Sequence, residues 1–119
     1  MRLRSKTILC VENSGPSNME RAAALRNVGY TVILTDDVKE ALRIFISMDV
    51  DAVLLEFHLG NGKKNSLRAE MSSIRPRVPI VALCPAGFKS GVVKSLFQHV
   101  FREGDGAGAL ISVLQGLLA

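Results

Sequence analysis

Three glutamates, an amide and a thiol stand directly after short apolar runs in this chain of 119 residues. Glu12 and Asn13 follow KTILCV, Glu56 follows DAVLL, Cys84 follows PIVAL and Glu103 follows HVFR. If the runs are neighbouring strands, these side chains meet at one edge. A gathering of carboxylates could hold a divalent ion or serve an enzymatic site, with Glu12, Glu56, Glu103, His58 and Cys84 as the donors. No metal-ligand spacing supports this, and His58 is most simply a loop histidine. Cys84 has no histidine beside it in the set, which makes it a poor nucleophile. The plain alternative is that strands end in polar loops and the carboxylates face water.

The elements that must position these residues alternate along the chain. Lys6–Val11, Thr31–Thr35, Asp51–Leu55, Pro79–Leu83 and, more weakly, His99–Arg102 are apolar runs of strand length. Between them, apolar residues recur at helical spacing. The faces are Met19, Ala22, Leu25 and Val28; Val38, Ala41, Leu42 and Phe45; and Leu67, Met71 and Ile74. Val92, Val93, Leu96 and Phe97 suggest a short fourth helix, and Leu110, Val113, Leu114 and Leu117 a fifth. Asp36 or Asp37 can cap the second helix, and Gly60 to Lys64 has turn chemistry. Five strand–helix units predict an α/β single domain over residues 1–119. It is a doubly wound, flavodoxin-like, three-layer sandwich whose five-stranded parallel sheet has the order 2-1-3-4-5. In such sheets ligands bind beyond the carboxyl ends of the strands, where the five polar residues fall.

Composition narrows the function classes. With 48% hydrophobic and 22% charged residues the chain has material for a core, so wholesale disorder is excluded. Aromatics make up 5% with no Trp, which argues against a stacking platform for single-stranded nucleic acid. No apolar run is long enough to span a membrane, and the basic start lacks a signal-peptide pattern. Cys10 and Cys84 sit in apolar runs as buried reduced thiols, implying the cytoplasm. The net charge of +4, with Arg2, Arg4 and Lys6 at the start and Lys63, Lys64, Arg68, Arg75 and Arg77 in the middle, would allow only weak, non-specific nucleic-acid binding.

The segments ILCVEN, DAVLLEFHLGNG, VPIVALC and VFREG have the order and spacing of the signature segments of bacterial response-regulator receiver domains, and from Thr7 to Leu118 the chain resembles that family. The resemblance implies a two-component phosphorelay module. It also implies a reaction centre made of an acidic pair that holds Mg²⁺, an aspartate phospho-acceptor, a Ser or Thr, and a Lys-Pro pair with a nearby aromatic. Position by position, this sequence departs from that pattern. Glu12 and Asn13 stand at the acidic pair and Glu56 at the acceptor. Cys84 replaces the hydroxyl, Val100 the aromatic, Glu103 and Gly104 the Lys-Pro pair, and Gly60 the proline after the acceptor.

The substitutions oppose the chemistry. Glutamate reaches about 1.5 Å further than aspartate, and an error of ~1 Å in reacting geometry can cost about a hundredfold in rate. Asn13 offers a neutral oxygen where Mg²⁺ needs a charged one, so no cofactor is expected and Mg²⁺ binding is weak or absent. A carboxylate at Glu103 repels a phosphoryl group that a lysine would neutralise, a term of about 4 kcal/mol at ~4 Å and a dielectric near 20. Glu56 is then either a permanent imitation of a phosphorylated aspartate or a tolerated carboxylate paired to Lys63, Lys64 or Arg102. Crowding of Glu12, Glu56 and Glu103 should raise the pKa of at least one of them. Without a moving hydroxyl or aromatic, one fixed conformation is expected.

The expected function is therefore a non-enzymatic, phosphorylation-independent receiver module that docks a histidine kinase or an output protein. A homodimer through the fourth and fifth helices is the second expectation, with Val93, Phe97, Leu110 and Leu114 lining or underpinning that face. Ala119 follows the last helix directly, so the chain stands alone or is part of a longer protein.

Overall fold

The computed structural model describes residues 5–13, 15–57, 62–85, 91, 93–94 and 97–119. Its strands are β1 (Thr7–Val11), β2 (Thr31–Thr35), β3 (Ala52–Glu56), β4 (Ile80–Cys84) and β5 (His99–Arg102). The helices are α1 (Pro16–Asn27), α2 (Val38–Ser47), α3 (Gly62–Ile74) and the C-terminal α4 (Ala107–Leu118), the fifth helix of the sequence reading. The strands form one parallel sheet in the order β2-β1-β3-β4-β5, as expected. β3 and β4 each begin and end one residue later than expected, so Glu56 and Cys84 are their last members.

Strand side chains alternate between faces, and the sheet thereby divides its apolar residues between two cores. Leu9, Val11, Val53, Leu55, Ala82 and Cys84 pack with Ala41, Ile44 and Phe45 of α2 and Leu67 and Met71 of α3. Ile8, Cys10, Ala52, Leu54, Val81 and Leu83 pack with Ala22 and Leu25 of α1 and Leu110 and Leu114 of α4. Continuous burial along β1 and β4 is what a sheet covered on both faces requires. β2 lies at the edge, and Leu34 is correspondingly exposed.

Local chemistry sets the helix ends. Asp37, not Asp36, caps α2 by accepting from the Lys39 and Glu40 amides at 2.8 and 3.2 Å. Pro16 opens α1 in the first turn, and Gly29 turns the chain toward β2 with a φ of +103° that glycine tolerates best.

Three helical faces differ from expectation. The inward stripe of α1 is Asn18, Arg21, Ala22 and Leu25, whereas Met19 and Val28 are exposed. Apolar periodicity pointed to the wrong stripe because two inward positions are polar. Ile74, the last residue of α3, and Val113, on the outer side of α4 between buried Leu110 and Leu114, are exposed. Gly62, Lys63 and Lys64, expected in a turn, are the first residues of α3. Of the expected fourth helix, Val92 and Leu96 lie outside the described residues. Val93 and Phe97 are buried and share a helical hydrogen bond of 3.0 Å.

The C-terminal end of α2 has no basic residue of its own. Arg75, just past α3, supplies one. Its guanidinium donates to the carbonyls of Phe45, of Ile46 at 3.2 Å and of Met48 at 3.2 Å, and lies 5.2 Å from the centroid of the Phe45 ring. These are carbonyls left without helical donors at a negative dipole end. Arg75→Met is expected to lower unfolding stability by about 1–2 kcal/mol, measured by urea denaturation; an unchanged midpoint would contradict this role.

Candidate functional site

The site forms at the carboxyl ends of β1, β3 and β5. The Glu12 amide donates to the Thr35 carbonyl at 3.0 Å, extending the β1–β2 pairing by one step. That fixes the backbone of Glu12 and sends its side chain to the face of Ile8 and Cys10, where α1 packs. Arg21 meets it there. Arg21 Nη1 donates to Glu12 Oε1 at 2.5 Å, and Arg21 Nη2 stands 3.6 Å from Glu103 Oε1. Glu12 is 2% exposed and Arg21 8%. The other Glu12 oxygen, Oε2, is buried without a hydrogen-bond partner among the described residues.

Burial pushes the Glu12 carboxyl above the usual glutamate range, Arg21 pulls it back, and Glu56 and Glu103 add repulsion. The expected upward shift is therefore present in Glu12, with desolvation ahead of like-charge crowding as its cause.

Glu56 ends β3. Its Oε1 lies 3.6 Å from Lys64 Nζ and at the 3.5 Å limit of a hydrogen bond from the Asn13 amide. Lys64, in the first turn of α3, is nearly buried. A cation there opposes the positive end of the helix dipole, and the adjacent carboxylate offsets that cost. Of the expected partners of Glu56, the structure places Lys64 beside it.

Glu12, Asn13, Glu56 and Glu103 thus come together as expected, and Cys84 stands, also as expected, at the carboxyl end of β4. Its side chain is fully buried in the α2–α3 core, along with Val93 and Phe97. The alternation of β4 explains this, since Cys84 shares its face with Ala82. Burial raises the thiol pKa, Arg102 lowers it and Glu103 raises it, so the thiol stays protonated near neutrality. Cys10 is buried too, and its pKa is raised chiefly by burial. Val100 is half-buried against the same core as Cys84, and Glu103 opens a short 3-10 turn, Glu103–Asp105. His58 and Gly60 lie outside the described residues.

Arg21 is the site residue that the sequence reading missed. The signal was the spacing of Asn18, Arg21, Ala22 and Leu25, which fits a helical stripe as well as the all-apolar set does. The middle basic residues do not share one surface. Lys64 and Arg75 lie at opposite ends of α3, one against Glu56 and the other on α2.

No protein-family model matches the chain, and no curated protein does. Solved structures do. A CheY-like response-regulator receiver domain from Methanospirillum hungatei JF-1 superposes with a TM-score of 0.82 at 16% identity, over 97% of this chain and 94% of that one. The fold is that of response-regulator receiver domains. A sensor histidine kinase of Pseudomonas aeruginosa PAO1 has a receiver domain, solved with a magnesium ion in its active-site cleft, that matches with a TM-score of 0.82. Its identity is 24%, over 97% and 98% of the two chains. A chain from the complex of histidine kinase ThkA with response regulator TrrA matches with a TM-score of 0.80 at 19% identity, over 96% and 99%.

Arg21→Met is expected to lower stability near neutral pH by about 3–5 kcal/mol, because Glu12 then lies buried without its counter-charge. A raised carboxyl binds its proton more tightly folded than unfolded. Its contribution is full below the ordinary glutamate pKa of about 4.3 and declines as pH rises through the raised value. The variant's loss should therefore shrink as pH falls from roughly 8 to 5. Urea unfolding across that range checks it, and a pH-independent loss would contradict the pairing. For Cys10 and Cys84, an aromatic disulfide reagent should react at the rate of global unfolding; immediate labelling of the native protein would show an accessible thiolate.

Proposed function

We propose that this chain is a receiver-like module of a two-component signalling pathway that docks a protein partner in one fixed state and performs no phosphoryl transfer. The carrying observation is Arg21 lying between Glu12 and Glu103. Transfer to an aspartate needs a metal bridging oxygens, in-line placement and positive charge where negative charge develops. Here the first strand-end carboxylate is committed to Arg21 and the acceptor-position carboxylate lies against Lys64. Asn13 brings a neutral side chain, and no group of three His, Cys, Asp or Glu suited to a metal ion occurs among the described residues. This donor set does not fit Mg²⁺, which demands near-ideal octahedral oxygen ligation.

The same pairs favour the tolerated-carboxylate reading of Glu56 over imitation of a phosphorylated aspartate. Its charge is answered locally by Lys64 and is not presented outward. With Cys84 packed in the core and Val100 too short to swing, neither switch-equivalent position carries a hydroxyl or an aromatic to couple the rim to its outer face. The receiver fold and its occurrence in a kinase–regulator complex support a histidine kinase or an output protein as partner. The four apolar residues expected to line a face of the last helices are all in the core, so they can only underpin it; Val113 is exposed on α4. A homodimer through α4 would have to use that outer surface.

Acetyl phosphate with Mg²⁺ should leave the intact mass unchanged, and bait treated with it should capture the same partners as untreated bait. One added phosphoryl group on Glu56, or partners that depend on the treatment, would overturn the reading.

A further inference from the structure

A cavity of about 430 Å³ opens at the opposite end of the sheet, beside the first residues of β4 and β5. It lies within the range of roughly 300–1,000 Å³ typical of small-molecule sites. Arg68 of α3, Arg77 of the turn before β4 and His99 of β5 line it, together with apolar Val78, Phe97 and Leu117. The lining contains no acidic residue, and among the described residues none of the three basic ones has an ion-pair partner. The Arg68 guanidinium carbon stands 5.6 Å from the Phe97 ring centroid, which holds the side chain in place. Phe97 is itself fixed edge-to-face against Phe57, with centroids 6.0 Å apart. Arg68 Nε is shielded from water and makes no hydrogen bond among the described residues. A buried donor on a cation without a partner is costly, and the charge that Arg68 carries favours an anion in the cavity it lines.

We infer that this cavity binds a small organic anion. Its phosphate or carboxylate lies on Arg68 and Arg77 with His99 beside them, and its apolar body lies against Phe97, Val78 and Leu117. Two arginines beside an apolar wall match a ligand with one charged end. A bare inorganic ion would leave the wall unused, and a neutral ring would leave the cations unanswered.

1-Naphthyl phosphate, titrated into the full chain and followed by amide NMR, tests this. Saturable shifts are expected at Ile80, Phe97 and His99, with inorganic phosphate and neutral 1-naphthol each binding at least about tenfold more weakly. Arg68→Gln and Arg77→Gln should each weaken the aryl phosphate about tenfold. Arg77 is exposed, so its variant tests the site without threatening the fold. No saturation, equal binding of either control compound, or wild-type affinity in Arg77→Gln would overturn the inference.

Discussion

The ion pair between Arg21 and Glu12 is the constraint around which the carboxyl end of the sheet is organised. A carboxylate at the end of a central strand, nearly sealed from water, is tolerable only with a counter-charge held against it. That requirement places an arginine on the inward stripe of α1, where an apolar residue would otherwise pack. It also sets the position of Glu103, whose carboxylate approaches the same guanidinium from beyond β5. Three elements distant in sequence are thereby held by one cation. Glu12 keeps an unsatisfied oxygen at this junction, and its burial there raises its affinity for a proton.

The second cation completes the balance. Lys64 enters from the first turn of α3 and answers Glu56. Fixed side chains thus supply the positive charge that a metal ion and a phosphoryl-binding lysine would supply in a phosphorylatable centre. On the proposed reading these charges hold the rim in one arrangement, and the interior adds no second one. Cys84 turns into the core and Val100 is short, so neither of these two residues offers the proposed module a lever toward the outer helices. The receiver fold is retained, and the proposed function is a receiver fold without that coupling.

Strand positions and sheet order were legible because each strand is a continuous apolar run and the alternation with helices permits few topologies. Glu12, Glu56 and Glu103 were legible as rim residues for the same reason: each follows a strand. What was hidden lay where tertiary context overrides local pattern. Apolar periodicity in α1 selected Met19 and Val28, which are exposed, over Asn18 and Arg21, which are buried. The burial of Arg21 follows from a carboxylate nine residues away in sequence, which no helical template registers. Lys64 was misread as turn because glycines and lysines favour loops on average, although here a half-buried carboxylate stands ready to receive the lysine. Cys84 stands at the end of β4 as expected, and the alternation of that strand turns its side chain to the face of Ala82.

Amide and side-chain NMR of the chain titrated with Mg²⁺ and beryllofluoride tests the central claim most directly. With Arg21 and Lys64 holding the rim carboxylates, Asn13, Glu56 and Phe57 should keep their positions throughout. Saturable shifts at these residues, accompanied by release of Arg21 from Glu12, would contradict the account.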